Sequence, residues 1–525
     1  MGTPPTRRPT IYHHARVYTT GRTGATALVV EGASITYVGD NAGARAASSG
    51  ATEVDLRGAL VTPAFVDAHV HTIQTGQVMD GLDLSTARSR DDVLDAVAAF
   101  VRDHPAAAVV VGQGWDERHW PDPRPPLRTE LDRAGSGAAV YLARVDVHSA
   151  VVSTALLDQV GDVSQAPGYT AAGWLTQQAH HQCRGQMDRL FTDAERRAAA
   201  RAALRRAAEV GIGTVHELSG PHLGPIEDLV RVREVGAELG IDIVGYWGEL
   251  ADPATIARAR SVGTRGLAGD LCIDGAIGSR TAALREPYAD HPSRGVRYLS
   301  EDEITEHLVA CTRAGLQAGF HCIGDDAVVA AVSGLRRAAE QLGSEAIRSA
   351  RHRLEHLEMT SESDMVTLAD LGVTASMQPA FDAAWGGPGE LYAERLGERS
   401  TGMNRLGTLH RHGVRMAFGS DAPVTPLAGW ETVRAAVHHS DPAERLSPAD
   451  AFVAATTGGH RAAGMYATGS LEPGTAATLA VWGDAELDLG GLPAMDRTSA
   501  LPTCQATVVR GRAIWQAPSL PGPVE

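Results

Sequence analysis

The chain contains no lysine, so all 47 of its lysine-or-arginine positions are arginine. No site in this protein can therefore depend on a lysine amine. Acidic residues outnumber basic ones, which gives a formal charge of -16. Nucleic-acid binding requires clustered cations that neutralise phosphates, so this balance argues against nucleic acid as a partner.

Cysteine is also scarce: the five cysteines are widely scattered and no two form a CxxC pair. An odd number at such spacing predicts neither a disulfide framework nor a cysteine zinc site, and it favours a reducing, cytoplasmic setting. No segment approaches the roughly 18 apolar residues of a membrane span, and residues 1–8 lack the apolar stretch of a signal peptide. We therefore expect a soluble protein that has no membrane partner.

Strand-like segments at both ends of the chain are each too small to bury a core, which predicts that the two ends pack together as a small β-sandwich domain. Between them, helical and strand-like segments alternate, and Thr192-Asp193-Ala194-Glu195 is a capping box that predicts the start of one helix. This alternation is typical of a parallel sheet, open or closed into a barrel. We predict a sandwich domain of residues 1–61 and 466–525 and a (β/α)8 barrel of residues 62–465.

The most informative local pattern is His69-Val70-His71, which follows an apolar, β-branched run at residues 59–66. Alternate residues of a strand project to the same side, so both imidazoles can bind one metal ion. The preceding run predicts a buried strand that ends at this pair, and strand ends carry the active sites of barrel enzymes. Alone, the pair fits a solvent-facing or core-satisfied interpretation equally well.

Three further candidate ligands end predicted strands: His321, His356 and Asp421. Each alone also fits a structural interpretation, as a hydrogen-bonded histidine or a turn-capping aspartate. Their recurrence at the same structural position favours a metal site shared with His69 and His71. Four imidazoles and one carboxylate suit zinc, manganese, iron or nickel rather than calcium.

Five ordered motifs, which span nearly the whole chain, resemble those of the amidohydrolase superfamily, in particular its YtcJ-like branch, which includes N-substituted formamide deformylases. They are Val61–His71, Asp274–Ala282, His321–Ala327, Arg351–His356 and Phe418–Val424. The resemblance implies an α/β fold, a distorted TIM barrel beside a composite β-sandwich. The metal ligands that it implies are His69, His71, His321, His356 and Asp421.

The chain departs from this family at one important position. Many members carry a carboxylated lysine that bridges two metal ions, and the matching residue here is Asp270. A chain without lysine cannot form this carbamate. Asp270, Cys272, Asp274 and Glu217 are the candidate replacements, and the remaining alternative is that nothing replaces it.

Without the carbamate, we favour a single divalent ion, with zinc as the preferred metal. Its predicted ligands are His69, His71, His321 and Asp421, and His356 is either a further ligand or a base beside the ion. A two-ion centre bridged by a carboxylate other than carbamate is the alternative.

Catalytic roles are predicted for Asp421, His356 and His148. Asp421 is expected to accept a proton from a metal-activated water and to pass it to the leaving nitrogen. His148 is expected to donate a hydrogen bond to the oxyanion, and a structural histidine is the alternative. Four residues are predicted to bind substrate, and these are Trp115, Glu217, Asp274 and Arg280.

Among these four, Arg280 is the candidate partner of a substrate carboxylate, with an ion pair inside the barrel as the alternative, and Trp115 is a candidate pocket wall. The Gly-rich segment at residues 384–389 is a candidate pocket wall or lid.

The predicted function is hydrolysis of a carbon–nitrogen bond, other than a peptide bond, in a small-molecule amide, formamide or cyclic amide. One alternative is another metal-dependent reaction on the same scaffold, such as deamination, lactone hydrolysis or decarboxylation in a biosynthetic pathway. A non-catalytic metalloprotein is the other. A homodimer is favoured only because dimers are the commonest oligomers among soluble proteins.

Overall fold

The computed structural model describes residues 8–19, 24–483 and 485–520. The outermost residues of the predicted sandwich domain, and most of residues 1–8, for which no signal peptide is predicted, therefore lie outside the described residues. The described strands are β1 (Thr10–His13), β2 (Arg16–Val17), β3 (Ala27–Glu31), β4 (Ser34–Gly39), β5 (Thr52–Asp55), β6 (Leu60–Pro63), β7 (Phe65–Val70), β8 (Leu82–Asp83), β9 (Val110–Trp115), β10 (Val140–Arg144), β11 (Ser149–Val152), β12 (Trp174–Thr176), β13 (Ile212–Ser219), β14 (Asp242–Trp247), β15 (Gly266–Leu267), β16 (Gln317–Cys322), β17 (Arg353–His356), β18 (Thr374–Met377), β19 (Arg415–Phe418), β20 (Leu479–Gly483), β21 (Thr503–Val509) and β22 (Arg512–Gln516).

The α-helices in the same residues are α1 (Asn41–Ala47), α2 (Thr72–Met79), α3 (Arg90–Asp103), α4 (Arg128–Ala134), α5 (Thr154–Val160), α6 (Gln177–Met187), α7 (Asp193–Glu209), α8 (Ile226–Leu239), α9 (Pro253–Val262), α10 (Glu301–Ala314), α11 (Asp325–Leu342), α12 (Ser344–Ala350), α13 (Glu362–Asp370), α14 (Pro379–Trp385), α15 (Leu391–Leu396), α16 (Leu406–Arg411), α17 (Gly429–Val437), α18 (Pro448–Val453) and α19 (Gly459–Ala462). The capping box predicted at Thr192 forms: its side chain accepts from Glu195 N, and Glu195 caps the Thr192 backbone in return.

Eight parallel strands form the central sheet, in the order β7-β13-β14-β15-β16-β17-β18-β19. A bridge between Val70 and Ala422 brings the two edges together, and His71 N donates to Ala422 O over 2.9 Å. The sheet is thus nearly closed, and β15 is only two residues long. The predicted α/β fold, a distorted TIM barrel with an additional domain, is confirmed.

Strands from both chain ends form two smaller sheets, β4-β3-β1-β5 and β2-β6-β20-β21-β22. One hydrophobic cluster joins them, and it contains Leu28, Ile35, Val61, Leu479 and Val508. Strand β6 continues to Pro63, past the boundary predicted at residue 61, and pairs there with Leu479. The exact domain boundaries stay a prediction.

A third unit, which the sequence reading did not anticipate, is inserted between α2 and α7. It contains the sheet β12-β11-β10-β9-β8 and helices α3 to α6. Its apolar residues form two clusters of their own, one around Tyr141 and Leu156 and the other around Trp115 and Leu142. The loop between β10 and β11 carries His148, and helix α6 carries two further histidines that become important below.

Candidate metal centre

The five predicted ligands meet at the carboxyl ends of the barrel strands. His69 and His71 lie at the end of β7, His321 lies in β16, His356 ends β17 and Asp421 follows β19. All five side chains are buried. Asp270, three residues after β15, joins them and is the carboxylate that stands where the family has lysine.

The distances between donor atoms are those expected around a small cation. Asp421 Oδ1 is 3.0 Å from His71 Nε2 and 3.4 Å from His69 Nε2. Asp270 lies 3.2 Å from His71 Nε2 through Oδ2 and 3.5 Å from His69 Nε2 through Oδ1. Donors that bind a tetrahedral zinc ion at about 2.0 to 2.1 Å are about 3.4 Å apart. The arrangement therefore fits one ion.

Two overlapping sets of three donors each lie within 4.8 Å of one another: His69 with His71 and Asp421, and His69 with Asp270 and His356. His321 Nδ1 is 3.7 Å from Asp270 Oδ1, beside the second set. Asp270 therefore contacts donors of both sets, as a bridging carboxylate must.

The second ring nitrogen of each histidine is held by an acceptor. His69 Nδ1 donates to Glu355 Oε2 over 2.9 Å, His71 Nδ1 to Leu218 O over 2.7 Å and His356 Nδ1 to Gln378 Oε1 over 2.7 Å. His321 Nε2 donates to Gly275 O over 3.3 Å. Such contacts fix the tautomer and leave the other nitrogen free to bind a metal.

Those inward-facing atoms lack hydrogen-bond partners among the described residues. They are His69 Nε2, Asp270 Oδ1, His321 Nδ1, His356 Nε2 and Asp421 Oδ1. Unpaired buried polar atoms are costly and rare, so five that converge on one region indicate a cation-binding site. The residues present therefore fit a divalent metal ion.

An ion pair inside the barrel supports His69. The Arg353 guanidinium lies 2.5 Å from Glu355 Oε1 and also donates to Ala68 O and Ser376 Oγ. Burial opposes ionisation of Glu355, but Arg353 and His69 outweigh it and hold the pKa of this carboxyl well below its usual range. Glu355 therefore stays a carboxylate and accepts from His69.

The backbone is strained at two ligands. His356 has φ 71° and Asp421 has φ 54°, in the left-handed region that residues other than glycine rarely adopt. Strain of this kind persists only where the surroundings hold it, and it clusters at functional sites.

A narrow cavity opens onto His321, His356 and Asp421. One wall is aromatic: the Phe381 ring stacks 6.0 Å from the His356 ring, and Trp385 and Tyr392 continue it. Trp385 lies in the predicted Gly-rich segment, which connects α14 with α15, and both of these helices contribute to the wall.

Glu358 also lines this cavity, and the sequence reading did not single it out. Burial raises its pKa to about 8, so the carboxyl carries a proton at neutral pH. The spacing could have drawn attention to Glu358, since it follows the candidate ligand His356 by two residues. Periodicity does not predict where a side chain points once the strand has ended.

His148, for which a hydrogen bond to the oxyanion is predicted, lines the cavity. Its ring centroid is 5.1 Å from that of His321. The loop that carries it is held by Arg144, whose buried guanidinium pairs with Asp116 and Glu117, and by Asp146, which accepts from Ser279 Oγ. Burial and the neighbouring His321 lower the pKa of His148 well below its usual value, so the imidazole is neutral.

None of the four predicted substrate-binding residues lines this cavity. Trp115 is fully buried in the inserted unit, where its indole N–H donates to Leu142 O. Arg280 pairs with Asp290 over 2.6 Å at the surface. The prediction that Trp115 forms a pocket wall is wrong, because the insertion's core covers it. Arg280 is an ion-pair partner, but the pair lies at the surface and not inside the barrel.

The two carboxylates among these four have backbone partners. Asp274 accepts from Ala283 N, Ile323 N and Gly324 N, which occupy both of its oxygens. Glu217 accepts from Thr72 N and Ser219 Oγ. They shape the rim, whereas Asp270 is the carboxylate at the metal centre. Cys272 donates through Sγ to Asp270 O.

A comparison with known protein families matches residues 52–514 to the amidohydrolase family. The chain belongs to this family. The putative amidohydrolase YtcJ of Bacillus subtilis is 26% identical over 75% of this chain and 76% of its own. The N-substituted formamide deformylase of Arthrobacter pascens is 24% identical over 87% of this chain and 90% of its own.

Among solved structures, an uncharacterised metal-dependent hydrolase from Pyrococcus furiosus matches with a TM-score of 0.71 and 25% identity, over 90% of this chain and 98% of that one. The family and the His/Asp centre together support a metal-dependent hydrolase. In the described part of the chain, no helix combines the length and apolar character needed to cross a membrane.

Proposed function

We propose that this amidohydrolase hydrolyses a carbon–nitrogen bond in a small-molecule amide, formamide or cyclic amide. The observation that carries the proposal is the group of unpaired buried donors that opens onto a cavity. The relative named N-substituted formamide deformylase supports this bond type, since it matches over most of both chains.

We assign one divalent ion, with zinc preferred, to His69, His71, Asp270 and Asp421, whose donor atoms have the spacing described above. This replaces His321 of the predicted set by Asp270, because His321 Nδ1 lies 3.7 Å from Asp270 and forms no ion-pair contact with Asp421. A second ion would require the set of His69, Asp270 and His356, bridged by Asp270.

A divalent ion bound there supplies water activation at neutral pH and polarises a carbonyl oxygen. Asp421 provides the proton acceptor: burial opposes its ionisation, but the imidazoles of His69 and His71 hold its pKa below the usual value. Because Oδ1 would bind the ion, the carboxylate can take a proton at Oδ2 and return it to the leaving nitrogen. Neutral His148 can donate a ring N–H to the oxyanion.

Turnover measurements on purified protein test the function. Zinc-loaded, chelated and reloaded protein are compared on formamides, N-acyl amino acids and cyclic amides, with lactones as the comparison set. We expect metal-dependent hydrolysis in at least one set, lost on chelation and restored by reloading. Metal-dependent turnover of lactones alone, or no bound metal and no turnover, would contradict the proposal.

A further inference from the structure

Helix α6 of the inserted unit brings a second group of polar side chains to the barrel rim. His181 and Arg184 are three residues apart and therefore share one face of the helix. The other face, with His180 and Cys183, is buried in the core of the insertion. The polar face is only partly buried.

This face packs against the loop that follows barrel strand β13. A Cβ atom at Gly185 would lie 2.9 Å from Pro221 O and 3.2 Å from His222 Cα, so only glycine permits so close an approach. The strand before this loop supplies Leu218 O, which holds the metal ligand His71. Helix α6 is thus seated directly on the rim of the metal centre.

The histidine rings of the helix and the loop lie side by side. The His181 ring is 5.1 Å from the His222 ring and 5.5 Å from the Tyr298 ring. Burial, reinforced by Arg184, lowers the pKa of His181 to about 4, and burial also lowers the pKa of His222 well below its usual value. Both imidazoles are therefore neutral and can each donate one N–H.

Arg184 is the full positive charge in this group, and its guanidinium makes no hydrogen bond or ion pair within the described residues. Its charge acts on His181, His222 and Cys272, and Cys272 donates to the backbone of Asp270. Other arginines near the site are paired, such as Arg144 with Glu117 and Arg353 with Glu355.

A partly buried guanidinium without a carboxylate partner, next to two imidazole donors and beside the metal centre, has the chemistry of an anion subsite. We propose that Arg184, His181 and His222 bind a carboxylate group of the substrate. One full positive charge matches a monoanion. The subsite rests on the proposed function, because it assigns specificity to that site, and it takes the role that the sequence reading gave to Arg280.

A matched pair of compounds tests the subsite: N-formylphenylalanine and N-(2-phenylethyl)formamide, which differ only in the carboxylate. We expect the zinc-loaded wild type to prefer the first, measured as the ratio of the two kcat/KM values. Arg184→Gln should reduce this ratio about 10- to 100-fold, and Arg184→Lys should restore part of it. Arg189→Gln, at an exposed position just after α6, is the control and should not change it.

A binding measurement that needs no turnover separates the subsite from the proposed function. Calorimetry compares 3-phenylpropanoate with 3-phenylpropanamide on zinc-loaded wild type, Arg184→Gln and Arg189→Gln proteins. If neither formamide is hydrolysed but Arg184→Gln alone loses carboxylate binding, the subsite is supported while the function fails. An unchanged ratio or unchanged carboxylate binding in Arg184→Gln, or no carboxylate binding by the wild type, would overturn the subsite.

Discussion

The metal centre and the walls around it are built in different ways. The ligands come from the ends of barrel strands, are buried and have their outer nitrogens held by fixed acceptors. The walls come from the loop between β10 and β11 and from helices α14 and α15, all outside the barrel sheet. We therefore expect the barrel to determine the reaction and its additions to determine the substrate.

Replacing the proton acceptor should have the largest effect. Asp421→Asn keeps the shape of the side chain but removes its basicity, so we expect kcat to fall roughly 1,000-fold at saturating zinc. Metal content is measured in parallel, because Asp421 is also a ligand. Unchanged kcat with bound metal would refute the proton transfer.

Removing the hydrogen-bond acceptor of His69 should lower the metal affinity of the centre and leave the cavity walls unchanged. Glu355→Gln loses the carboxylate that accepts from His69 Nδ1, and we expect metal affinity to fall about 10- to 100-fold in competition with a chelator. Glu345→Gln, which changes an exposed carboxylate that pairs with Arg348 and accepts from Ser349 Oγ, is the matched control. Equal affinities for the two variants would show that the inner ion pair does not orient His69.

Changing a wall should leave the metal in place. Trp385→Ala removes an aromatic surface beside the cavity, and we expect kcat/KM to fall about 10-fold, mainly through KM. Metal stoichiometry should equal that of the wild type. A loss of bound metal would mean that wall and centre are not separate.

The smallest effect is expected at Arg280. Its ion pair with Asp290 is partly exposed, so Arg280→Gln should change stability by about 1 kcal/mol or less. Turnover should stay within about twofold of the wild type in steady-state assays, since Asp290 already pairs with this guanidinium. A selective loss of activity on substrates that carry a carboxylate would instead show that Arg280 binds this group.

The ligands could be predicted from the sequence because strand ends carry a local signal. His69 and His71 follow an apolar run, and their two-residue spacing fixes a shared face. The alternation of helical and strand-like segments predicted the barrel, and the strand-like segments at the two chain ends predicted the sandwich. The absence of lysine predicted a centre without carbamate, and Asp270 was one of the alternatives that the sequence left open.

The walls could not be predicted, because packing between distant segments forms them. Trp115 and Trp385 are both aromatic residues next to glycines in the sequence, yet one is inside the core of the insertion and the other faces the cavity. Arg184 lies in helix α6, whose sequence has no apolar repeat that would predict a position at the rim of the barrel. Its position depends on Gly185 and the loop at His222, which no local pattern connects.

Metal titration of the apo-protein tests the single-ion centre most directly. Protein stripped with a chelator is reloaded with zinc, and bound metal and turnover are measured together. We predict that one equivalent per chain restores full activity, and that Asp270→Ala binds less than one equivalent under the same conditions. Activity that appears only with a second equivalent, or full metal binding by Asp270→Ala, would contradict the account.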